Sequence, residues 1–331
     1  MREPAFWWRK AGAAAALLSP LAAAYGSVAA ARLKRHGRRV GAPVICIGNL
    51  TVGGAGKTPL ALSTAAMLQA AGERPALLTR GYGGRLAGPV RVDPAIHRAG
   101  DVGDEPLLLA RLAPTFVARD RVRGGEAAVE SGASIVVMDD GFQNPSLHKD
   151  VSILAVDGRR GIGNGCVIPA GPLRAPVAAQ LECADALVVV GTENACVAHE
   201  ARRRGRLVLR AVLEPDGAIA AGLGRALAFA GIGDPEKFFL TLANAGVAVA
   251  SARGFPDHHR YTAAEARALC AEADRAGLAL VTTEKDMVRL QGEAAVAMLA
   301  QRARALPVTL RLADPAAFAR LLGERIPGLH L

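Results

Sequence analysis

The segment GNLTVGGAGKTP, residues 48–59, places a lysine and a hydroxyl directly behind a glycine-rich turn. In such a turn the backbone N–H groups and the start of the following helix cradle phosphate oxygens, the lysine meets the outer phosphates, and the hydroxyl ligates magnesium. Here those roles fall to Gly56, Lys57 and Thr58, at the end of a loop that begins Thr51-Val52-Gly53-Gly54-Ala55. Thr51 stands where the pattern ordinarily has its first glycine, but Gly53 and Gly54 supply the freedom a tight turn needs. A second run, SIVVMDDGFQ (134–143), carries Asp139 and Asp140 to the tip of an apolar stretch. A carboxylate at the end of a neighbouring strand is where a magnesium shell is completed. Asp140 and Gln143 are therefore expected beside Thr58 at the metal, with Asp139 and Lys57 among the catalytic groups. ATP and Mg2+ are the implied ligands.

These residues need a strand before the loop, a helix after it and a neighbouring strand for the carboxylates. Apolar runs at 44–48, 76–79, 115–118, 134–138, 151–156, 186–190 and 207–212 alternate with helical stretches, which is the pattern of an α/β domain with a mainly parallel sheet. Turn residues at 214–217 and 222–224 break the composition. Beyond them a smaller α/β unit is expected, with strands near 226–230, 247–250, 278–281 and 308–312 and a helix over 263–276. The expected division is a segment 1–39, a phosphate-loop domain 40–220 and a smaller domain 221–331 closing over the site. The chain's 331 residues, 51% of them apolar, suffice for such a core. Its five cysteines form no C-x-x-C pair, which argues against a zinc site or a disulfide framework.

The net charge of +10 is concentrated at the start of the chain. Arg2, Arg9, Lys10, Arg32, Lys34, Arg35, Arg38 and Arg39 against Glu3 give residues 1–40 a charge of +7, leaving the rest nearly balanced. That distribution does not describe a nucleic-acid-binding surface. Between the basic clusters, residues 11–31 are uncharged and rich in Ala and Leu, preceded by Trp7 and Trp8. Basic flanks and an aromatic anchor suit an anionic membrane surface. A cleaved signal peptide would carry the phosphate loop away from cytosolic nucleotide, and a full span is long enough but weakly driven by alanine. A helix lying in the cytoplasmic leaflet is the expected arrangement.

A guanine-specific switch would carry N-K-x-D, and Thr283-Glu284-Lys285-Asp286 lacks that spacing; a partitioning-type ATPase would carry a second lysine near Val52, and none is there. The motifs TRGYGG (79–84), VGDEP (102–106), ARDRVRG (118–124), DDGFQN (139–144), GNGCVIPAGPLR (163–174), FAGIGDPEKFF (229–239), FPDHH (255–259) and TTEKD (282–286), together with the opening loop, resemble the tetraacyldisaccharide 4'-kinase family in their order and across nearly the whole chain.

The resemblance implies transfer of the ATP γ-phosphate to the 4'-hydroxyl of a glucosamine disaccharide 1-phosphate bearing acyl chains, in lipid A biosynthesis, at the cytoplasmic face of the inner membrane of a Gram-negative bacterium. The implied partners are that lipid and the membrane surface, with no nucleic acid and no protein partner. A sugar hydroxyl gains from a positioned carboxylate and a proton-relaying group; by similarity these are Asp104 and His258, with His259 as rival. Arg80, Tyr82, Glu105, Arg121 and Arg174 are candidates for contacting ATP or substrate. One departure is visible: Ala175 follows Arg174 where the family usually has an acidic residue, which puts in doubt any magnesium or orienting role of that carboxylate. The reading from another class is a membrane-tethered nucleotide switch or assembly ATPase, which would need neither Asp104 nor His258.

Overall fold

The apolar runs fold as strands whose side chains are covered on both faces, which is why they are continuous rather than alternating. In the computed structural model, which describes residues 3–192 and 195–331, the chain forms β1 (Val44–Asn49), β2 (Pro75–Thr79), β3 (Val90–Arg91), β4 (Thr115–Val117), β5 (Ile135–Asp139), β6 (Val151–Asp157), β7 (Ala186–Val190), β8 (Leu207–Pro215), β9 (Arg225–Ala230), β10 (Ala248–Gly254), β11 (Ala279–Thr283), β12 (Arg304–Leu306) and β13 (Val308–Leu312). Nine of these make one sheet in the order β13-β8-β7-β6-β1-β5-β2-β4-β3, and four make a second, β10-β9-β11-β12. Only the edge strands β3 and β13 of the large sheet run antiparallel to their neighbours; the small sheet is wholly parallel. The α/β expectation with a mainly parallel sheet and a second, smaller one is met.

Pleating sends Ile45 and Ile47 of β1 to a core shared with Leu60, Leu68, Phe318 and Leu322, and Val44 and Cys46 to the opposite core with Leu154, Phe142 and Leu181. β1 lies between β5 and β6, and the chain moves outward from it in both directions. The carboxyl end of β1 is thus the topological switch point, where a parallel sheet opens a crevice.

The strand at 308–312, expected in the smaller unit, is β13 and pairs with β8 at the edge of the large sheet. Its Leu310, with Phe318 and Leu322 of the helix Pro315–Arg325, fills the end of the core beside Leu209 and Ala211. The chain therefore returns to the large sheet after building the small one, and the expected boundary at 220 does not mark a single crossing. β3 and β12, of two and three residues, carry too little pattern to be read in advance.

The apolar segment near the N-terminus is a helix, Ala13–Leu33, and among the described residues it is the one helix long and apolar enough to cross a membrane. Its small residues Ala15, Ala22 and Gly26 are buried, with Gly26 facing Pro176. Leu17, Leu21, Tyr25 and Val28 point outward, so its free face is apolar rather than charged. Trp7 and Trp8, expected as interfacial anchors, have committed their indole N–H groups inside the protein: Trp7 donates to the Pro169 carbonyl at 3.0 Å and Trp8 to Glu3 at 3.0 Å. Arg2 of the basic cluster lies outside the described residues.

Candidate active site

The phosphate loop leaves β1 and ends at Gly56, which takes φ +85° as the N-cap of the helix Lys57–Ala70. A side chain there would be strained, and the glycine lets the chain turn so that the first helical N–H groups face the loop's concave side. Thr51 replaces a glycine without cost because its role is different: it forms a β-bridge with Leu173, and Val52 N–H donates to the Pro172 carbonyl at 2.9 Å. Asn49 at the tip of β1 holds the loop by donating to Gly53 O at 3.1 Å.

The Thr58 hydroxyl donates to Asp139 Oδ2 at 3.1 Å, while Asp139 Oδ1 is buried without a hydrogen-bond partner. Burial, and then the charge of Glu105, push the Asp139 carboxyl up, against the pull of Lys57. A buried carboxylate oxygen left open beside a hydroxyl is a hard-oxygen donor set that suits magnesium. Thr58 and Asp139 fit that ion; Asp140, expected there with them, is engaged by Arg174 and Lys57.

Asp140, the next residue, has φ +53° and turns its carboxylate the other way. Arg174 donates to its two oxygens at 2.7 and 3.2 Å, and Lys57 Nζ lies 3.7 Å away. Burial would raise this carboxyl, but Lys57 and Arg174 bring it down to about 2. Gln143, expected in the metal shell, is committed to protein: it accepts from Arg174 at 3.2 Å and donates to Asn49 O at 3.0 Å and Gln180 at 3.2 Å. Its place is behind Arg174. Ala175, where the departure lies, is buried, and Gln180 of the same network donates to its carbonyl at 2.7 Å and to Leu50 O at 3.1 Å.

Asp104 opens the helix Asp104–Leu109 after Gly103. Its Oδ2 faces His258 Nδ1 at 3.2 Å, and His258, at φ +55°, is brought from the small-sheet unit. Burial acts to raise the Asp104 carboxyl, but the His258 hydrogen bond and the charges of Arg289 and Lys285 outweigh it and hold the group below the usual carboxylate range. For His258, burial lowers the pKa and the hydrogen bond to Asp104, with that carboxylate's charge, more than restores it, so the net shift is upward. Asp140 and His258 are the two non-glycine residues with positive φ among the described ones, and strain of this kind gathers where geometry is demanded by chemistry. His259 is settled differently: it contacts Glu265 at 3.0 Å and stacks on Phe255 at 4.8 Å, within the small unit's own packing.

Tyr82 is exposed and its ring lies 5.0 Å from that of His258. Arg121 is buried with its Nε unpartnered, near the exposed Arg80. Glu105 accepts from Lys285 at 2.5 Å. Two cations were not singled out in the sequence: Lys285 and Arg289, both on the helix Glu284–Leu290. The motif TTEKD names Lys285, and a spacing of four puts Arg289 on the same helical face.

The family profile described as Tetraacyldisaccharide-1-P 4'-kinase matches residues 14–327. The chain belongs to this family. It is 52% identical over 330 residues to the tetraacyldisaccharide 4'-kinase of Afipia carboxidovorans, covering 98% of each chain. It is 53% identical over 326 residues to that of Rhodopseudomonas palustris strain BisA53, covering 97% of this chain and 95% of the relative. Among solved structures, LpxK from Aquifex aeolicus in complex with ATP is similar over 94% of this chain and 99% of that one, with a TM-score of 0.72 and 26% identity.

Proposed function

We propose that this protein is a tetraacyldisaccharide 4'-kinase, transferring the ATP γ-phosphate to the 4'-hydroxyl of an acylated glucosamine disaccharide 1-phosphate. The observation that carries the reading is the meeting of Asp104 and His258, from the two units. A nucleotide switch has no use for that pair, so the switch or assembly ATPase is not favoured.

Lys57 and the loop amides would hold the β- and γ-phosphates, and Arg174 would add charge on the Asp140 side. Thr58 and Asp139 would hold magnesium, which would supply neutralisation of the phosphate charge. The acceptor oxygen forms a bond to the γ-phosphorus as the bond to the bridging oxygen breaks, ADP leaving with the electron pair. The hydroxyl proton passes to Asp104, whose Oδ2 is held by His258 Nδ1 at 3.2 Å. A carboxylate held this strongly is a weak base, so its work is to orient the hydroxyl and accept the proton as phosphorus bonding acidifies it. The exposed Arg80 and Tyr82 would meet the substrate's own phosphate and sugar.

The small-sheet unit would close over this site, since Gly233 approaches the amide of Gly54 in the phosphate loop. A multiply acylated acceptor stays in its bilayer, so the enzyme would act at the cytoplasmic face of the inner membrane, with Leu17, Leu21, Tyr25 and Val28 turned toward lipid. The test is phosphate transfer from radiolabelled ATP to a disaccharide 1-phosphate lipid. Wild type should label the acceptor, while Asp104→Asn should lower kcat by on the order of 10²-fold or more and leave ATP affinity within a few fold. An equal loss of ATP affinity would move Asp104 from the acceptor side to the nucleotide side.

A further inference from the structure

The helix Glu284–Leu290 delivers two cations to two consecutive carboxylates of the large-sheet unit: Lys285 to Glu105 and Arg289 to Asp104. We infer that Arg289 is a positioning residue of the reaction, fixing Asp104 as an ionised acceptor with lone-pair capacity left on one oxygen for the substrate hydroxyl, and tying that setting to the loop that reaches the phosphate loop. The inference rests on the reading of Asp104 as the proton acceptor.

Three features of the geometry carry it. First, all the guanidinium nitrogens are engaged. Nε donates to Asp104 Oδ2 at 2.7 Å and Nη2 donates to the same oxygen; Nη1 donates to Gly231 O at 2.6 Å and to Asp286 Oδ1 at 2.9 Å. Side-chain exposure is 6% for Arg289 and 3% for Asp104, so the pair is shielded from water and salt and is far from a loose surface contact. Second, Arg289 and His258 both address Oδ2, while Oδ1 receives the neighbouring Glu105 N–H at 3.0 Å. The arrangement occupies one oxygen with two cationic or donor groups and leaves lone-pair capacity on the other.

Third, the arginine is itself held in a rigid frame. Asp286, fully buried, accepts from Gly231 N–H at 3.0 Å, Tyr261 OH at 2.8 Å and Thr283 Oγ1 at 2.6 Å. Gly231 starts the loop that brings Gly233 to the phosphate loop, where a methyl built on Gly233 would lie 3.7 Å from Gly54 N. One side chain thus sets the acceptor carboxylate and pins the base of the loop that lies against the phosphate loop. A displacement of about 1 Å at an acceptor costs on the order of 10²-fold in rate, which sets the scale of what such a clamp contributes.

The groups facing Asp104 are His258 and Asp257 from the F-P-D-H-H loop, Lys285, Asp286 and Arg289 from the helix and its start, Tyr261 behind them, and Glu105 beside it. Removing Arg289 takes away a cation while His258 and Lys285 remain. The carboxyl then becomes easier to protonate, so the acid limb of the kcat profile must move to higher pH.

The experiment compares Arg289→Gln, Arg289→Lys and Asp104→Asn in the full-length protein, reading kcat against pH, KM for both substrates, ATP binding by calorimetry and thermal unfolding. Arg289→Gln is expected to lose on the order of 10²-fold in kcat, to keep ATP affinity within a few fold, and to shift the acid limb upward by about 1 to 3 pH units. Arg289→Lys is expected to recover a substantial part of the rate, because it restores the charge but not the fork. An acid limb that stays in place in Arg289→Gln, or a loss confined to ATP affinity, would overturn the inference and leave Arg289 as a structural clamp. Should Arg289→Gln fail to fold, Arg289→Lys decides alone: a lowered kcat with ATP affinity kept within a few fold supports the inference, and a wild-type kcat stands against it. Asp104→Asn separates the two ideas: if it remains active, the acceptor reading itself fails.

Discussion

At the scale of single residues, what could be read in advance is what works locally. Lys57 and Thr58 follow Gly56 in the chain, and their chemistry is fixed by that adjacency. Arg289 meets Asp104 across a separation of 185 residues, so no spacing announces it, and only the fold makes the pair. The same holds for the choice between His258 and His259: two adjacent imidazoles are alike in sequence, and a left-handed backbone at His258 sends one to Asp104 and the other to Glu265. Lys57→Ala removes the cation beside Asp140 and should lower kcat by on the order of 10²-fold or more with unfolding temperature little changed, measured by transfer assay and calorimetry. For His258, the carboxylate partner should be visible in its titration. In wild type the imidazole should titrate above 6.5, and in Asp104→Asn, where burial is opposed by Asp257 alone, at lower pH than in wild type. Because the folded value is raised, the stability this group contributes is full below pH 6.5 and fades as pH rises through the folded pKa. Imidazole NMR of the two proteins across about pH 5–9 reads both, and identical titrations would deny the contact.

At the scale of elements, the central parallel strands were legible because burial on both faces makes each an uninterrupted apolar run. Leu77 and Leu78 of β2 and the stretch Leu187, Val188, Val189 and Val190 of β7 are all buried, although successive side chains point to opposite faces. Edges were not legible in this way. β13 alternates buried Leu310 with more exposed neighbours and pairs antiparallel, so its run looks like that of any half-covered strand, and nothing local says which sheet it joins. Thr51 is a related case, because the missing glycine of the phosphate loop is explained by a bridge to Leu173, far downstream in the chain. Where an element's direction depends on one residue, the consequence is testable. Gly103 has φ +94° just ahead of Asp104, and a Cβ there would lie 2.5 Å from the Tyr82 carbonyl. Gly103→Ala should therefore cost on the order of 1–3 kcal/mol of stability from the backbone conformation and turn the start of the Asp104 helix away from His258. Thermal unfolding and kcat check the two parts, and a variant with wild-type kcat would show that the turn does not set the carboxylate.

At the scale of the whole molecule, the membrane proposal makes a demand on one face of one helix. The helix Ala13–Leu33 is fastened to the body by its small residues, and the segment before it is fastened too, since Glu3 pairs with Arg160 at 3.1 Å and lies against Gly53 of the phosphate loop. Deleting residues 1–31 would thus disturb the loop as well as the anchor, and a cleaner test keeps the docking face and changes only the outward one. Replacing Leu17, Leu21, Tyr25 and Val28 with serine leaves Ala15, Ala22 and Gly26 in place and removes four exposed apolar side chains. The basic residues around the helix remain, each contributing on the order of 1 kcal/mol near anionic lipid before screening. We expect the substituted protein to be more soluble, to bind ATP with wild-type affinity, and to lose transfer mainly on acceptor presented in anionic vesicles, with far less loss on acceptor dispersed in detergent. Its residual attachment should be released by high salt, because the surface field is screened within roughly 10 Å at 0.1 M. Wild type, holding by both apolar contact and charge, should be released only in part. Resistance of wild type to both salt and alkaline extraction would instead mean that the helix leaves its docked position and spans the bilayer, and unchanged vesicle activity in the substituted protein would remove this face from substrate capture altogether.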